Sequence, residues 1–387
     1  MARDLVGVVG AGTMGAGIAQ VALENGHEVV LHDVDETAVE RGRDRVAAGL
    51  ARRAERLGLD PDTIDSWVEA RLAGLHHAES LDVVGSEADV VIEAAIEVLE
   101  LKRDIFRALD EATEPDAILA SNTSALSIAA IGEATTRPER VLGLHFFNPV
   151  PVMTLVEVVA APATDAGVVT RAESLVQSWS KTPVRSTDSP GFIVNRVNRP
   201  FTLEALAIHE QGLAEPAQID AAVRAAGYPM GPFELMDLIG IDVNLAVATA
   251  IWHGFGRADR FRPSPIQERM VEAGRLGRKT GEGFYRYDSG RAVHGETPDI
   301  GDKQAIAERI TLAVIAEAYR ALGDEVAAGP DIDLALRLGA GHPTGPFERV
   351  AELGGAVAVL QRLRALEANG PRFEPPNALL EDASNPS

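Results

Sequence analysis

Residues 5–26 read LVGVVGAGTMGAGIAQVALENG, and this stretch decides the fold. The apolar run 5–10 ends in glycine and reads as a β-strand. A helical pattern follows from Gly12 to about Asn25, and Gly26 closes it where helices commonly end in glycine. Residues 10–15, GAGTMG, give G-x-G-x-x-G between that strand and that helix. A second strand, 28–33, ends in Asp33, 18 residues after Gly15. Strand, turn, helix and acidic strand end are the context a dinucleotide-binding turn requires. Gly10 allows the tight turn, Gly12 lets a pyrophosphate approach the backbone, and Gly15 lets helix and strand pack closely. The helix start at Thr13 and Met14 offers backbone N–H groups and a partial positive charge to phosphates. Asp33 can accept the adenosine ribose hydroxyls and repels a 2′-phosphate. The next residues, Val34 and Asp35, bring no arginine, so the expected cofactor is NAD, not NADP. A glycine turn in an α/β protein that binds no nucleotide is the alternative.

Outward from this turn, further strands are expected at 89–94, 117–121, 140–145 and 155–160, with helical stretches between them. Alternating strands and helices predict βαβ units and a mostly parallel sheet, and uninterrupted apolar strands predict helices over both faces. The expectation is an α/β Rossmann-type doubly wound sheet. Near residue 186 the pattern changes. After Asp188-Ser189-Pro190-Gly191 the chain reads as all-α, with Gly and Pro turns. Residues 272–301 are turn-rich and read as a wrap or link, and the proline-bearing tail after Gly370 as partly extended.

The helical part contains a repeat. Residues 228–234 read YPMGPFE and 342–348 read HPTGPFE, identical at five of seven positions. Ile219-Asp220 matches Ile332-Asp333 upstream, and Gly240 matches Gly354 downstream. Duplication of a helical unit is the expected origin, a Gly-Pro turn used twice the plainer one. The expected domains are therefore 1–185, 186–290 and a second, degenerate helical copy at 301–387.

Composition bounds the function. A chain of 387 residues suits two or three domains and needs no covalent or metal staple. It has no cysteine, which removes thiolate zinc and thiol nucleophiles and fits a reducing compartment. No metal is expected. The formal net charge of −22 disfavours nucleic acid and anionic lipid as partners. A helix N-terminus or local basic pocket still binds a small anion. No signal peptide or membrane-spanning window is read, so a soluble cytoplasmic protein is expected.

Oxidation of an alcohol by a nicotinamide needs a base for the hydroxyl proton, and histidine titrates near neutrality. His145 ends a strand, in HFFNPVP (145–151), and Glu157 lies in the next strand, in LVEVV. A carboxylate on the far ring nitrogen would fix the tautomer and stabilise the imidazolium. A core histidine bonded to backbone and a surface glutamate fit the same residues.

GAGTMGAGIA (10–19), SNTSALSI (121–128), GLHFFNPVPVM (143–153), LVEV (155–158), DSPGFIVNR (188–196) and GRKTGEGFYRY (277–287) resemble the L-3-hydroxyacyl-CoA dehydrogenase family. The resemblance runs to about residue 290. It implies NAD-dependent oxidation of the 3-hydroxyl of an acyl-CoA thioester, with His145 as general base oriented by Glu157. It further implies that Ser124 contacts the substrate oxygen, that Asn195 and Asn148 help hold the substrate, and that Glu97 and Lys102 lie near the nicotinamide. Ser124 as a helix N-cap, Asn195 as a domain bridge and Asn148 as a turn residue are the alternatives. Arg52, Arg53 and Arg56 fit CoA phosphates or a solvated helix face. The domain 186–290 is of the substrate and dimerisation type. In the second copy Glu308 stands opposite Asn195, so this copy is expected to be structural, packing as a dimer partner would. A monomer (pseudo-dimer through the tandem copies) or a homodimer is expected. Multifunctional fatty-oxidation subunits carry similar tandem copies behind a hydratase domain. With six residues ahead of Gly7, hydratase activity is not expected. A dehydrogenase of a free hydroxy acid or sugar acid, or an inactive NAD-binding protein, are the competing functions.

Overall fold

The computed structural model describes residues 4–289, 291–293 and 302–384. The chain divides into two compact units between Ser189 and Pro190. The first contains β1 (Leu5–Val9), α1 (Thr13–Glu24), β2 (Glu28–His32), α2 (Glu36–Arg56), α3 (Pro61–Leu72) and β3 (Leu75–His77). It continues with α4 (Leu81–Glu87), β4 (Val90–Glu93), α5 (Leu99–Ala112), β5 (Ile118–Ser121), α6 (Ile128–Gly132) and β6 (Val141–Phe146). It ends with β7 (Leu155–Ala160), α7 (Ala166–Ser178) and β8 (Thr182–Thr187).

These strands form one sheet in the order β3-β2-β1-β4-β5-β6-β7-β8. Every neighbouring pair is parallel except β6–β7. The apolar runs of β4, β5 and β6 are buried along their whole length, as a sheet covered on both faces requires. The chain winds outward from β1 in both directions, so the strand order reverses between β1 and β4. Ligands of doubly wound folds bind beyond the carboxyl ends of strands at such a point. The expected strands all form, and β3 and β8 are added to them.

The second unit contains α8 (Val194–Val197), α9 (Arg199–Glu210), α10 (Pro216–Ala225), α11 (Pro232–Ile239), α12 (Ile241–Gly254) and α13 (Pro265–Glu272). A short antiparallel pair, β9 (Arg286–Asp288) and β10 (Arg291–Val293), follows. Then come α14 (Lys303–Gly323), α15 (Gly329–Ala340), α16 (Pro346–Glu352), α17 (Ala356–Leu366) and α18 (Asn377–Ser384). The tail is therefore largely helical rather than extended. Leu379 of α18 is buried and the Tyr319 hydroxyl donates to Asp382, so packing overrides the proline-rich composition. No single helix among the described residues is long and apolar enough to cross a membrane.

The repeated residues have a shared physical task. Asp220 of α10 accepts the first free N–H groups of α11, from Phe233 and Glu234, each at 3.0 Å. Asp333 of α15 does the same for Phe347 and Glu348 of α16, at 2.8 and 3.1 Å. A Cβ on Gly231 or Gly345 would lie 2.3 Å from that aspartate, which explains glycine there. Arg224 then pairs with Glu234 as Arg337 pairs with Glu348. The repeated motif is thus a helix-joining cap.

The copies also meet through reciprocal charges. Arg196 Nε donates to Glu317 Oε1 at 2.9 Å and Arg260 Nε to Glu317 Oε2 at 3.1 Å. In the other direction Arg309 Nε donates to Glu204 Oε1 at 2.7 Å and Arg372 Nε to Glu204 Oε2 at 2.6 Å. The registration that sets Ile219 on Ile332 sets Arg196 on Arg309 and Glu204 on Glu317. It also sets Gln211, a partner of Arg309, on Asp324, a partner of Arg196. Reciprocal contacts of this kind are the mark of a two-fold interface.

Burial pushes the Asp220 carboxyl up to about 7, against the hydrogen bonds from Tyr285 and the α11 amides, which lower it. A raised folded-state value contributes stability that is full below the unfolded carboxylate range and is lost as pH rises through about 7. Asp220→Asn should therefore flatten the dependence of stability on pH between about 4 and about 7. Asp220→Ala removes the acceptor of two amides and of one Tyr285 hydroxyl bond and should cost about 2–4 kcal/mol. Urea unfolding across that pH range measures both.

Candidate active site

The carboxyl ends of β1, β4, β5 and β6 assemble the site. The glycine turn follows β1. Gly10 has φ +102°, a value that favours glycine. A Cβ on Gly15 would stand 1.7 Å from the Gly10 carbonyl oxygen, so α1 reaches its strand only with glycine here. A Cβ on Gly12 would meet nothing within 4 Å, leaving open space over the backbone. Gly12 is the N-cap of α1 and no side chain caps it, so the N–H groups of the first turn, from Thr13 onward, face no capping oxygen. Asp33 Oδ2 accepts the Ala11 N–H at 2.6 Å and Oδ1 the Val34 N–H at 2.7 Å. The carboxylate is thereby fixed beside the turn, with lone pairs remaining for ribose hydroxyls. These residues fit a dinucleotide diphosphate and its adenosine ribose.

The antiparallel join of β6 and β7 sets His145 directly opposite Glu157. Residues so paired share one face of the sheet at short range. His145 Nδ1 lies 2.5 Å from Glu157 Oε2. The histidine is 4% exposed and the glutamate 0%, so Glu157 is not a surface residue. Phe147 packs against the imidazole, with ring centroids 4.5 Å apart. A buried carboxylate accepting from Nδ1–H leaves the basic lone pair on Nε2.

After β4 the chain turns around Glu93, a fully buried residue that sequence reasoning missed. Glu93 accepts from Lys102 Nζ at 2.6 Å, the Ala95 N–H at 2.7 Å and the Ser121 hydroxyl at 2.6 Å. It thus joins β4, α5 and β5. Its signal was a carboxylate closing an apolar strand, nine residues before a lysine. Lys102 is 1% exposed and also approaches Glu97 at 3.4 Å. Glu97 accepts from the Thr123 hydroxyl at 2.5 Å and the Ser124 N–H at 3.0 Å. Ser127, not Ser124, caps α6. Glu93 pairs in register with Ser121, and Ser121 with Gly143. Glu97 and Ser124 therefore follow, and His145 lies within, the carboxyl ends of adjacent strands.

Asn148 lies in the 147–154 loop and lines a cleft of about 620 Å³ with Gly17, Arg45, Arg52 and Arg56. Arg53 instead approaches Glu24 at 3.6 Å. Asn195 sits in α8 of the second unit, just after Gly191 at φ +80° and Phe192 at φ +51°.

A dinucleotide turn at the switch point and a carboxylate-held histidine three strands along the sheet define a dehydrogenase-type site. The description "3-hydroxyacyl-CoA dehydrogenase, NAD binding domain" matches residues 5–189, and the C-terminal domain of the same family matches 191–287 and 306–383. The chain belongs to the 3-hydroxyacyl-CoA dehydrogenase family. It is an NAD-dependent oxidoreductase acting on 3-hydroxyacyl-CoA, built on an NAD-binding Rossmann domain. Among its relatives, 3-hydroxyadipyl-CoA dehydrogenase of Escherichia coli (strain K12) is 48% identical over 287 residues, 74% of this chain and 59% of that protein. The mitochondrial hydroxyacyl-coenzyme A dehydrogenase of Rattus norvegicus is 43% identical over 73% of this chain and 90% of its own length. The crystal structure of 3-hydroxybutyryl-CoA dehydrogenase from Escherichia coli K12 superposes with a TM-score of 0.90 at 35% identity, covering 99% of each chain.

Proposed function

We propose that His145 is the general base for reversible oxidation of an (S)-3-hydroxyacyl-CoA to the 3-oxoacyl-CoA. The buried His145–Glu157 pair carries this reading. Nε2 of His145 takes the 3-hydroxyl proton, and Glu157 stabilises the imidazolium that forms. In the reverse direction the imidazolium returns the proton. NAD held at the glycine turn and Asp33 supplies the hydride acceptor. Ser124 steadies the reacting oxygen, and Asn195 and Asn148 hold the substrate. Glu97 faces the nicotinamide side, with Lys102, fixed on Glu93, holding Glu97 in place. Arg52 and Arg56 offer cations to the CoA phosphates in the cleft beside Asn148. The test is loss of NADH absorbance with acetoacetyl-CoA, then a comparison of thioesters differing in length and terminal carboxylate. Activity with free hydroxy acids and none with CoA thioesters overturns the substrate.

Three parts, 1–185, 186–290 and 301–387, divide this work. The last is structural and completes a two-fold interface within one chain, supported by the reciprocal Arg196–Glu317 and Arg309–Glu204 pairs. Light scattering should give a monomer, and an obligate dimer joined through the first copy contradicts this. NAD and acyl-CoA as substrates favour a cytoplasmic enzyme.

A further inference from the structure

Three arginines are buried among the described residues, Arg196, Arg199 and Arg309, all in the second unit. Arg196 and Arg309 each meet a glutamate. Arg199, the first residue of α9, meets no carboxylate among the described residues. Its Nη1 donates to Asn244 Oδ1 at 3.3 Å, a long contact to an oxygen that already accepts from Gln267 Nε2 at 2.8 Å. Its Nε is buried without an acceptor, and Nη2 makes no hydrogen bond. Burial lowers its pKa to about 10, and no neighbouring acid raises it again. A buried cation is costly until an anion meets it.

The second helical copy shows that the fold needs no cation at this position. The registration that sets Ile219 on Ile332 sets Arg199 on Leu312, which is 1% exposed. Asn244 is the fourth residue of α12, and Val359, fully buried, is the fourth of α17. Leu312 and Val359 belong to one apolar cluster. The polar pair therefore stands in the copy that carries Asn195, and hydrocarbon stands in the copy that carries Glu308 there. Arg199 follows Asn195 by four residues, and Asn198 joins α8 to α9 with helical angles, φ −81° and ψ −8°. Asn195 and Arg199 thus share a helix face, about 6 Å apart along it.

We propose that Arg199 binds a carboxylate at the far end of the acyl chain, so that the preferred thioester is that of a dicarboxylic acid. This rests on the acyl-CoA reading above, with Asn195 at the substrate's reacting end. The unused edge of the guanidinium, Nε and Nη2, is a fork of parallel donors that matches a carboxylate. In an extended chain a carboxyl carbon three bonds beyond C3 lies about 4 Å from it, which suits two side chains one helical turn apart. A terminal methyl group leaves that edge unpaired.

The experiment compares (S)-3-hydroxyadipyl-CoA with (S)-3-hydroxyhexanoyl-CoA, six-carbon chains that differ at C6 alone, carboxylate against methyl. NADH formation is followed in the wild-type protein and in Arg199→Leu, which installs the residue of the second copy. The wild type should favour the carboxylated thioester in kcat/KM by about tenfold or more. Arg199→Leu should lower that preference by about 10²-fold, mainly through KM for the carboxylated thioester. Its thermal midpoint should equal or exceed that of the wild type, since an unpaired buried charge is removed. Equal losses on both thioesters, or an unchanged preference, overturn the proposal. A wild type that uses both thioesters equally overturns it without any variant and leaves the acyl-CoA reading intact. A wild type inactive on both overturns that reading itself.

Discussion

His145→Ala should lower turnover of acetoacetyl-CoA by about 10²- to 10⁴-fold, the usual worth of a positioned proton-transfer group. NADH affinity, measured by fluorescence titration, should stay within about twofold, because the nucleotide turn is built by β1, α1 and Asp33. The loss must appear in kcat, since the imidazole acts on a proton that moves only in the chemical step. Glu157→Gln tests the partner separately. An amide opposite Nδ1 neither stabilises imidazolium nor favours the tautomer with its lone pair on Nε2. A loss of about 10²-fold or more is expected there, with KM for NADH little changed. Wild-type turnover in His145→Ala removes the assignment, whatever the Glu157 variant does.

What the chain revealed in advance followed from how local each demand was. The glycine turn was legible because backbone geometry imposes it: 1.7 Å from a Cβ on Gly15 to the Gly10 oxygen admits no other residue. His145 and Glu157 were nameable as candidates, but their contact depends on the antiparallel β6–β7 register, which the eleven residues between them do not announce. Strand β3 escaped because it has three residues, two of them exposed. Strand β8 escaped because it lies on the sheet edge, where Val184 and Ser186 are buried between exposed Arg185 and Thr187. Glu93 was hidden by a tertiary event, the return of α5 to place Lys102 against the end of β4. The arginines of α2 resembled a solvated face, and only the folded loop at 147–154 separates Arg52 and Arg56, which face the cleft, from Arg53, which faces Glu24. The repeat was visible as letters, while its function as an aspartate cap on the following helix needed the geometry of Asp220 and Asp333.

Glu317→Ala should destabilise the second unit by about 3–5 kcal/mol, the cost of removing one carboxylate from a buried ion-pair network. Arg196 is 0% exposed and loses its Nε acceptor, retaining Asp324 on the other side of the guanidinium, while Arg260 loses the second oxygen. The two-fold arrangement makes a sharper demand than size alone. Glu204→Ala strands Arg309 and Arg372 in the same manner, with Gln211 standing where Asp324 stands, so its cost should fall in the same range. The two sites touch, because Arg372 donates to the Arg260 carbonyl and Arg320 donates to both Glu317 and the Arg372 carbonyl, so the double variant should depart from the sum of the singles by about 0.5–3 kcal/mol. Arg337→Ala is the control, because its pair with Glu348 is about 40% exposed on each side and should cost at most about 1 kcal/mol. Urea unfolding with tryptophan fluorescence measures all four. A cost below about 1 kcal/mol at either glutamate would break the reciprocity and, with it, the proposal that the second copy serves as a dimer partner carried within the chain.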